Sequence, residues 1–169
     1  MPYRFLTDAA LLAQCRVDHY RGSGPGGQKR NKTSNAVRIV HVASGVLVTA
    51  TECRSTELNT LHAIRRLRVK MAADLREPIA LETFAPPDWF LTIRAGNRIA
   101  VSHRHDLYGA AGGLALDLLK ATAGSPSAVA ANLGVTTTAV IKLLGEEHAW
   151  WTAANQIRAE TGKKPLTAK

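Results

Sequence analysis

Alternating hydrophobic and polar residues mark two short stretches in the first third of the chain. Every second side chain from Val37 through Ile39 to His41 falls on one face of an extended segment. Residues 46–51 form a second β-rich run, and the turn residues Ala-Ser-Gly at 43–45 separate the two runs. The pattern predicts a β-hairpin.

The chain before this hairpin predicts a short helix, an extended segment and a loop. Thr7 and Asp8 are suited to cap a helix over residues 9–14, and residues 15–21 are polar and extended. Residues 22–27 comprise four glycines, one serine and one proline. That composition excludes a helix or strand and predicts a loop.

After Ser55 the hydrophobic period lengthens to three or four residues, as in an amphipathic helix. We predict this helix from Ser55 to about Arg76, with Ser55 or Thr56 as its N-cap and Pro78 limiting it. Its predicted apolar stripe consists of Leu58, Leu61, Ile64, Leu67, Met71 and Leu75.

The last third of the chain is typical of helices. One helix is expected after Gly112-Gly113, and a second begins near Ser125-Pro126, where proline suits the first helical turn. A glycine turn at Gly134 separates the second helix from a third, and a final helix covers residues 146–160.

Together these elements predict an α+β fold. A small mixed or antiparallel sheet with a long packing helix is followed by an α-helical C-terminal module. We expect a first domain over residues 1–85, a connector over 86–110 and the helical module over 111–169. Within this region, residues 88–102 fit either two short strands around Gly96-Asn97 or an irregular connector.

Composition points to a polyanionic partner. The 169 residues include 22 Lys and Arg against 13 Asp and Glu, a formal net charge of +9, and 46% are hydrophobic. Such a chain can bury a core, and its charge favours a nucleic acid or ribosome as partner over a merely basic surface.

Other features narrow the class of protein. Cys15 and Cys53 form no C-x-x-C pair and have no metal-ligand spacing, so we expect two free thiols in a reducing cytoplasm and neither metal nor cofactor. No run of about 18 apolar residues occurs, and the N-terminus resembles no secretory signal. We therefore expect a cytoplasmic protein without a membrane span.

Three general motifs compete for the glycine loop. Gly22-x-Gly24-x-x-Gly27 has dinucleotide spacing, but a polar segment precedes it and a cationic stretch comes after it. A phosphate-binding P-loop needs Lys where Gln28 stands, and a nucleophile elbow needs a G-x-S-x-G order that is missing. A plain flexible linker explains neither Gln28 nor the cations beside it.

The stretch from Arg21 to Thr33, RGSGPGGQKRNKT, resembles the peptide-release loop of bacterial class I release factors. The resemblance covers about residues 15–75. Further residues that occur in the family's order are Ala36-Val37-Arg38-Ile39, His41, Ser44-Gly45, Arg54-Ser55 and Asn59. The chain is similar to a short, codon-independent, ribosome-rescue-like member of that family.

This resemblance implies ribosome-dependent hydrolysis of the peptidyl-tRNA ester, with Gly26, Gly27 and Gln28 as the catalytic residues. The glycines would let the backbone approach a crowded substrate. The Gln28 backbone N–H would face the developing oxyanion, and its side chain would line the water pocket. No acid or base is evident nearby, and we expect His41 to be packed.

The implied partners are the peptidyl transferase centre rRNA of the large subunit and P-site peptidyl-tRNA, bound by a monomer. Phosphate contacts position a protein without reading sequence. The residues expected to make them are Arg21, Lys29, Arg30 and Lys32. The residues expected to support the loop are Ser23, Asn31 and Thr33. The cations of residues 65–70 fit either RNA contact or a solvated helix face.

The chain departs from stop-codon readers. About 15 residues precede the matching region, too few for a decoding domain, so we expect release from stalled ribosomes without codon reading. The tail from Gly162 to Lys169 is short for a segment that enters the mRNA channel. The alternatives are stop-codon-dependent release with a separate reader, and a non-catalytic RNA-binding, ribosome-binding or helix-turn-helix protein.

The spacing of Ala130, Gly134 and Val140 resembles a helix-turn-helix. Its expected reading helix, with Thr136–Thr138 and Lys142, is poorly suited to base edges, so packing or ribosome docking is favoured over DNA binding.

Aromatic and histidine residues elsewhere have structural interpretations. Trp150 and Trp151 fit a core or interface patch, with base stacking as the alternative. His103 and His105 are expected to be exposed or to contact RNA rather than to bind metal, because neighbours on an extended chain diverge.

Overall fold

The computed structural model describes residues 2–21 and 35–167, and it confirms the predicted α+β fold. The chain divides into two compact units, Pro2–Lys70 and Met71–Lys169. The three-part division at residues 85 and 110 stays a prediction, since it concerns where a hydrolytic domain ends.

The first unit contains a three-stranded antiparallel sheet in the order β1–β2–β3. The strands are β1 (Cys15–Tyr20), β2 (Ala36–His41) and β3 (Leu47–Ala50). The predicted hairpin is confirmed as β2–β3, with Gly45 at a φ of 70° in its turn. Such a positive φ favours glycine, because in other residues the Cβ atom comes too close to the following carbonyl oxygen.

The predicted alternation along β2 is also confirmed. Val37, Ile39 and His41 are buried, whereas Arg38 between them is exposed. The extended segment predicted at residues 15–21 pairs with this strand as β1, and Asp18 lies opposite Arg38. A carboxylate oxygen of Asp18 lies 2.9 Å from an Arg38 guanidinium nitrogen, so this polar cross-strand pair lies on the face of the sheet opposite the buried Val37 and Ile39.

Helix α1 (Asp8–Leu12) precedes the sheet, and the predicted cap is confirmed because the Thr7 side chain accepts a hydrogen bond from the Ala10 N–H at 3.2 Å. The long helix is α2 (Thr56–Asp74). Ser55 is its N-cap, since its hydroxyl accepts a hydrogen bond from the Leu58 N–H at 3.2 Å. Short 3₁₀ turns occur at Pro2–Phe5 and Leu81–Thr83.

The apolar stripe predicted for α2 is wrong at its first two positions. Leu58 and Leu61 are 48% and 43% exposed. The buried face begins instead at Asn59 and Ala63 and continues to Leu67. These three residues are four apart and share one helix face, so the helix turns a polar amide inward where a stripe of leucines was expected.

The second unit is mainly helical. Its elements are α3 (Asp88–Thr92), β4 (Arg94–Ala95), β5 (Arg98–Ile99), α4 (Tyr108–Ala121), α5 (Pro126–Leu133), α6 (Thr137–Gly145) and α7 (His148–Glu160). The two short strands around Gly96-Asn97 are therefore present, and the short helix before them was not predicted.

Helix α4 corrects one boundary. It begins at Tyr108 and contains Gly112 and Gly113, which were expected to precede it. A Cβ atom at Gly112 would lie 2.4 Å from the Trp150 ring, so the glycine allows close helix packing rather than marking a break. Trp150 is fully buried and its ring centroid lies 4.7 Å from that of Tyr108, which excludes its base-stacking alternative.

The predicted helix–glycine–helix pattern is confirmed by α5 and α6. Ser125 caps α5, Pro126 occupies its first turn, and Gly134 ends it in the left-handed region at a φ of 66°. Among the described residues, no single helix is long and apolar enough to cross a membrane. The pair α5 and α6, bent by 108°, meets that criterion only by length and composition.

Candidate functional site

Most of the predicted site residues lie outside the described part of the chain. Residues 22–34 contain the predicted catalytic Gly26, Gly27 and Gln28, and the others in this segment are Ser23, Lys29, Arg30, Asn31, Lys32 and Thr33. Their roles stay predictions. Arg21 is described: it comes directly after β1, its side chain is exposed, and it makes no ion pair with a described residue.

The described residues on either side of this segment belong to neighbouring strands. Tyr20, the last residue of β1, pairs with Ala36, the first residue of β2. Segment 22–34 therefore starts from and returns to one end of a hydrogen-bonded strand pair. Antiparallel pairing fixes the separation of two such ends within narrow limits.

A buried amide holds the returning end. Asn59 on α2 has no exposed surface, and its Nδ2 donates to the Asn35 carbonyl at 2.6 Å and to the Cys53 carbonyl at 2.9 Å. Its Oδ1 accepts from the Cys53 N–H at 2.9 Å. One side chain thus ties the residue after segment 22–34 to the approach to α2.

Loss of the Asn59 amide would destabilise the fold. A buried polar group left without its partner costs about 1–3 kcal/mol, and Asn59 satisfies three backbone groups at once. In the sequence, Asn59 is notable only as one of the residues that follow segment 22–34 in the release-factor order. A polar residue four positions before Ala63 and eight before Leu67, on an otherwise apolar face, is the signal that could have identified it.

Some of the cations on α2 serve the fold. The Arg66 guanidinium donates to the Thr49 carbonyl at 2.6 Å and forms an ion pair with Glu52. Burial acts to raise the pKa of Glu52, but the hydrogen bonds and charge, led by those of Arg66, outweigh it and lower that pKa. Arg66 therefore links α2 to the end of β3.

Of three other cations in this region, one is used in the fold and two are exposed without an ion pair to a described residue. Arg68 donates to the Leu6 carbonyl at 2.7 Å and to Asp8 at 2.8 Å, so it also has a structural role. Arg54 and Arg65 are exposed and make no ion pair with any residue among 2–21 and 35–167. The hypothesis that the helix cations contact RNA thus concerns Arg65 more than its neighbours.

Positive charge is concentrated in the part of the chain that holds this site. Residues 1–70 contain 12 of the 22 Lys and Arg residues but only four of the 13 Asp and Glu residues. The net charge of the chain is therefore carried almost entirely by this part, and the remaining 99 residues are close to neutral.

The predicted packing of His41 is confirmed. It is 5% exposed, its Nδ1 lies 2.7 Å from the Ser44 hydroxyl, and its Nε2 lies 3.3 Å from the Gln14 side-chain oxygen. The Ser44 N–H donates to Nδ1 at 3.3 Å, so Nδ1 acts as an acceptor. His41 therefore holds the hairpin turn and is not exposed to act on a substrate.

The histidines of the second unit have no shared ligand geometry. His103 and His105 are exposed, and the His105 Nδ1 accepts a hydrogen bond from the Leu107 N–H at 3.1 Å. Across residues 2–21 and 35–167, no three His, Cys, Asp or Glu side chains are grouped to hold a metal.

The region that contains the predicted site is similar to known proteins. Residues 12–83 match the RF-1 domain family model. The chain is 41% identical over 87 residues to peptide chain release factor 2 of Acidithiobacillus ferrooxidans, covering 52% of this chain and 24% of that protein. It is 48% identical over 56 residues to peptide chain release factor 2 of Mycobacterium tuberculosis, covering 33% and 15%.

A release factor 1 gives a similar result. The chain is 43% identical over 70 residues to peptide chain release factor 1 of Kocuria rhizophila, covering 41% of this chain and 19% of that protein. The chain thus spans about a quarter or less of the length of these relatives.

Proposed function

We infer from the RF-1 domain match over residues 12–83 and from the similar release factors that the chain belongs to the class I peptide chain release factor family, and we propose that it hydrolyses the ester of peptidyl-tRNA on the ribosome. We propose further that it acts on stalled complexes in the cytoplasm, as a monomer, without reading a codon. Water would attack the ester carbonyl, releasing the peptide as a carboxylate and leaving the terminal ribose hydroxyl on the tRNA.

The observation that carries this proposal is the position of Gly26-Gly27-Gln28 inside the matched region, residues 12–83. The described ends of that segment support it, because a strand pair and the buried Asn59 amide form its base. A loop that must enter another molecule's active site benefits from a rigid base, since the cost of ordering it is then smaller.

The proposed chemistry needs little from the protein beyond one oriented donor. The Gln28 backbone N–H would stabilise the oxyanion of the tetrahedral intermediate, an interaction worth about 2.7–4 kcal/mol in other enzymes. Glycine at 26 and 27 would permit close approach. The ribosome and tRNA would supply the remaining groups, so we expect little activity on free peptidyl-tRNA.

The charge distribution supports a ribosomal partner. The cationic residues proposed to contact phosphates are Arg21, Lys29, Arg30 and Lys32, in the part of the chain that carries nearly all its net positive charge. Arg54, just before α2, and Arg65, on α2, are exposed and make no ion pair with a described residue. They would add further positive charge for contact with phosphates.

Codon independence is proposed because the second unit continues beyond residue 83, where the matched region ends, and its described residues there are mainly helical. We propose that this unit, rather than contacts with codon bases, directs the protein to its ribosomal complex. Contacts with an RNA backbone need no particular base, so such a unit would serve whichever codon the complex holds.

The test uses purified ribosomes with labelled peptidyl-tRNA in the P site. Three complexes are compared, with a stop codon, a sense codon or no codon in the A site. We expect the wild-type chain to release peptide from the complex without a codon, and Gln28→Pro, which lacks the backbone N–H, to release it about 100-fold more slowly or not at all. Gln156→Ala, which truncates an exposed glutamine of α7, is the matched surface control.

Each outcome decides one part of the proposal. No release by the wild-type chain from any complex would refute hydrolysis and favour a non-catalytic ribosome-binding protein. Release only with a stop codon would refute the rescue proposal while keeping the hydrolase.

A further inference from the structure

The second unit contains the geometry of a helix-turn-helix. Helices α5 and α6 are bent by 108° and joined by the three residues 134–136, with Gly134 in the left-handed region. Helix-turn-helix motifs cross at about 90–120° over a turn of three or four residues that often contains glycine. Val129 and Leu133 of α5 and Val140 of α6 are buried, so the crossing is part of a packed core.

A β-hairpin is attached to the turn of this motif. The Asn97 carbonyl, between β4 and β5, accepts a hydrogen bond from the Thr136 N–H at 2.9 Å. The Arg94 guanidinium lies over Gly134, where an added Cβ would be 2.5 Å from its Nη1, and it donates to the Leu133 carbonyl at 3.4 Å. The hairpin is thus fixed beside the start of α6.

Strand β5 lies against α6, and we call four exposed residues of this hairpin and helix the hairpin–α6 surface: Arg94, Arg98, Thr138 and Lys142. All four residues are exposed, and neither Arg98 nor Lys142 makes an ion pair with a described residue. Thr138 and Lys142 are four residues apart and share one face of α6. The acidic Glu146 and Glu147 come after the far end of α6.

We infer that the hairpin–α6 surface binds the phosphodiester backbone of a helical RNA segment. Arginine and lysine on an exposed helix and an adjoining hairpin are complementary in charge to phosphates. Threonine and lysine on α6 give contacts that position a protein, whereas base reading needs Arg, Asn or Gln aimed at base edges. The surface therefore holds RNA without selecting a sequence.

The choice of ribosomal RNA as the partner rests on the proposed function, whereas backbone binding by the surface does not. The two units would then divide the work, since one carries Gly26-Gly27-Gln28 and most of the net charge and the other adds a second, smaller RNA contact. This gives the helical unit a role that needs no codon.

The experiment measures the binding of the full-length chain to a blunt, fluorescein-labelled RNA duplex and to a DNA duplex of the same sequence, over a range of salt concentrations. The test variant is Arg98→Ala/Lys142→Ala. The control is Lys120→Ala/Lys163→Ala, which removes the same charge from two exposed residues of the same unit outside the hairpin and α6. Thermal unfolding checks that both variants remain folded.

We expect the test variant to raise the Kd for RNA on the order of tenfold near physiological salt, and to reduce the slope of log K against log salt by about two. The control should leave both nearly unchanged. An unchanged slope in the test variant, or equal effects in both variants, would overturn the inference. DNA binding as tight as RNA binding, with the same loss in the test variant, would overturn the choice of RNA.

Failure of the proposed hydrolysis would be distinguishable. Gln28→Pro, which lacks the backbone N–H, is assayed in parallel and should abolish release while retaining the RNA affinity of the wild-type chain. If no variant releases peptide but Arg98→Ala/Lys142→Ala still weakens RNA binding, the surface stands and the hydrolase proposal fails.

Discussion

The Nδ2 of Asn59 lies 2.6 Å from the carbonyl oxygen of Asn35, so the long helix α2 holds the residue directly after segment 22–34. The same amide group also donates to the Cys53 carbonyl. A single buried side chain therefore joins the base of the predicted release loop to the start of α2. This link relates the fold of the first unit to the activity proposed for it.

Replacing Asn59 should lower the release rate by more than the loss of folded protein alone would explain. Asn59→Ala leaves two carbonyls and one N–H without partners and should lower the free energy of unfolding by about 1–3 kcal/mol. Asn59→Asp keeps the acceptor but places a carboxylate oxygen against two carbonyls, so it should be no better. Single-turnover release at saturating protein, well below the melting temperature of each variant, measures the maximal rate.

The matched control for that experiment is Asn132→Ala, which removes a similar amide that donates to the Ala128 carbonyl within one helix of the second unit. We expect it to leave the maximal release rate unchanged. If Asn59→Ala is destabilised yet releases peptide at the wild-type maximal rate, Asn59 supports the fold without positioning the loop.

Gly112→Ala should destabilise the second unit. Its new Cβ would meet the Trp150 ring at 2.4 Å, and Trp150 is fully buried, so helices α4 and α7 would have to separate. Overpacking of this kind costs about 1–3 kcal/mol. Urea unfolding followed by tryptophan fluorescence measures it.

Gly145→Ala is the control, because an added Cβ there would meet atoms no closer than 3.8 Å. It should be neutral or slightly stabilising. Equal stability of the two variants would mean that α4 and α7 can move apart without cost.

Asp117→Asn should destabilise the protein strongly, because its side chain is almost fully buried. A carboxylate oxygen of Asp117 lies 3.1 Å from an Arg76 guanidinium nitrogen and accepts from the Glu77 N–H at 3.1 Å. Removing one charge of a buried pair costs about 3–5 kcal/mol, because the other charge stays buried. Chemical denaturation measures the loss, and Asp106→Asn, at an exposed carboxylate, should change the free energy of unfolding little.

Tyr108 should make the protein less stable in alkali. Burial raises its pKa well above the ordinary value, and the charges and hydrogen bonds of Glu147 and Glu146 raise it further. The unfolded chain therefore loses this proton at lower pH than the folded chain. The contribution is fully present below about pH 10 and is lost as the pH rises above that value.

Tyr108→Phe isolates this contribution. The variant should lose about 0.5–1.5 kcal/mol near neutral pH, because the Tyr108 hydroxyl no longer donates to Glu147. Above about pH 10 its free energy of unfolding should fall less steeply than that of the wild type. Parallel curves would show that Tyr108 ionises equally easily in both states.

Local sequence patterns predicted much of the secondary structure. The β2–β3 hairpin, the Thr7 and Ser55 caps, the Pro126 helix start and the Gly134 turn all depend on nearest neighbours in the chain. Such features are decided by backbone dihedrals and short-range hydrogen bonds, which residue identity strongly constrains.

The predictions from sequence were wrong where a contact joins residues that are distant in the chain. Leu58 and Leu61 match a helical stripe, but α2 buries Asn59 because the carbonyl of Asn35, 24 residues away, needs its amide. Gly112 resembles a helix break in the sequence, whereas in the structure Trp150 occupies the space of its missing side chain. No periodicity in one segment contains information about such a partner.

The sequence by itself determined the glycine-rich composition of residues 22–27 with Gln28 directly after it, the concentration of net positive charge in the first 70 residues and the order of most of the elements. Only the tertiary structure decided that Asn59 holds the base of segment 22–34, and that a hairpin lies against the turn between α5 and α6. The reason is physical: composition and local propensity act between neighbours, whereas a buried hydrogen bond forms only when folding brings its donor and acceptor together.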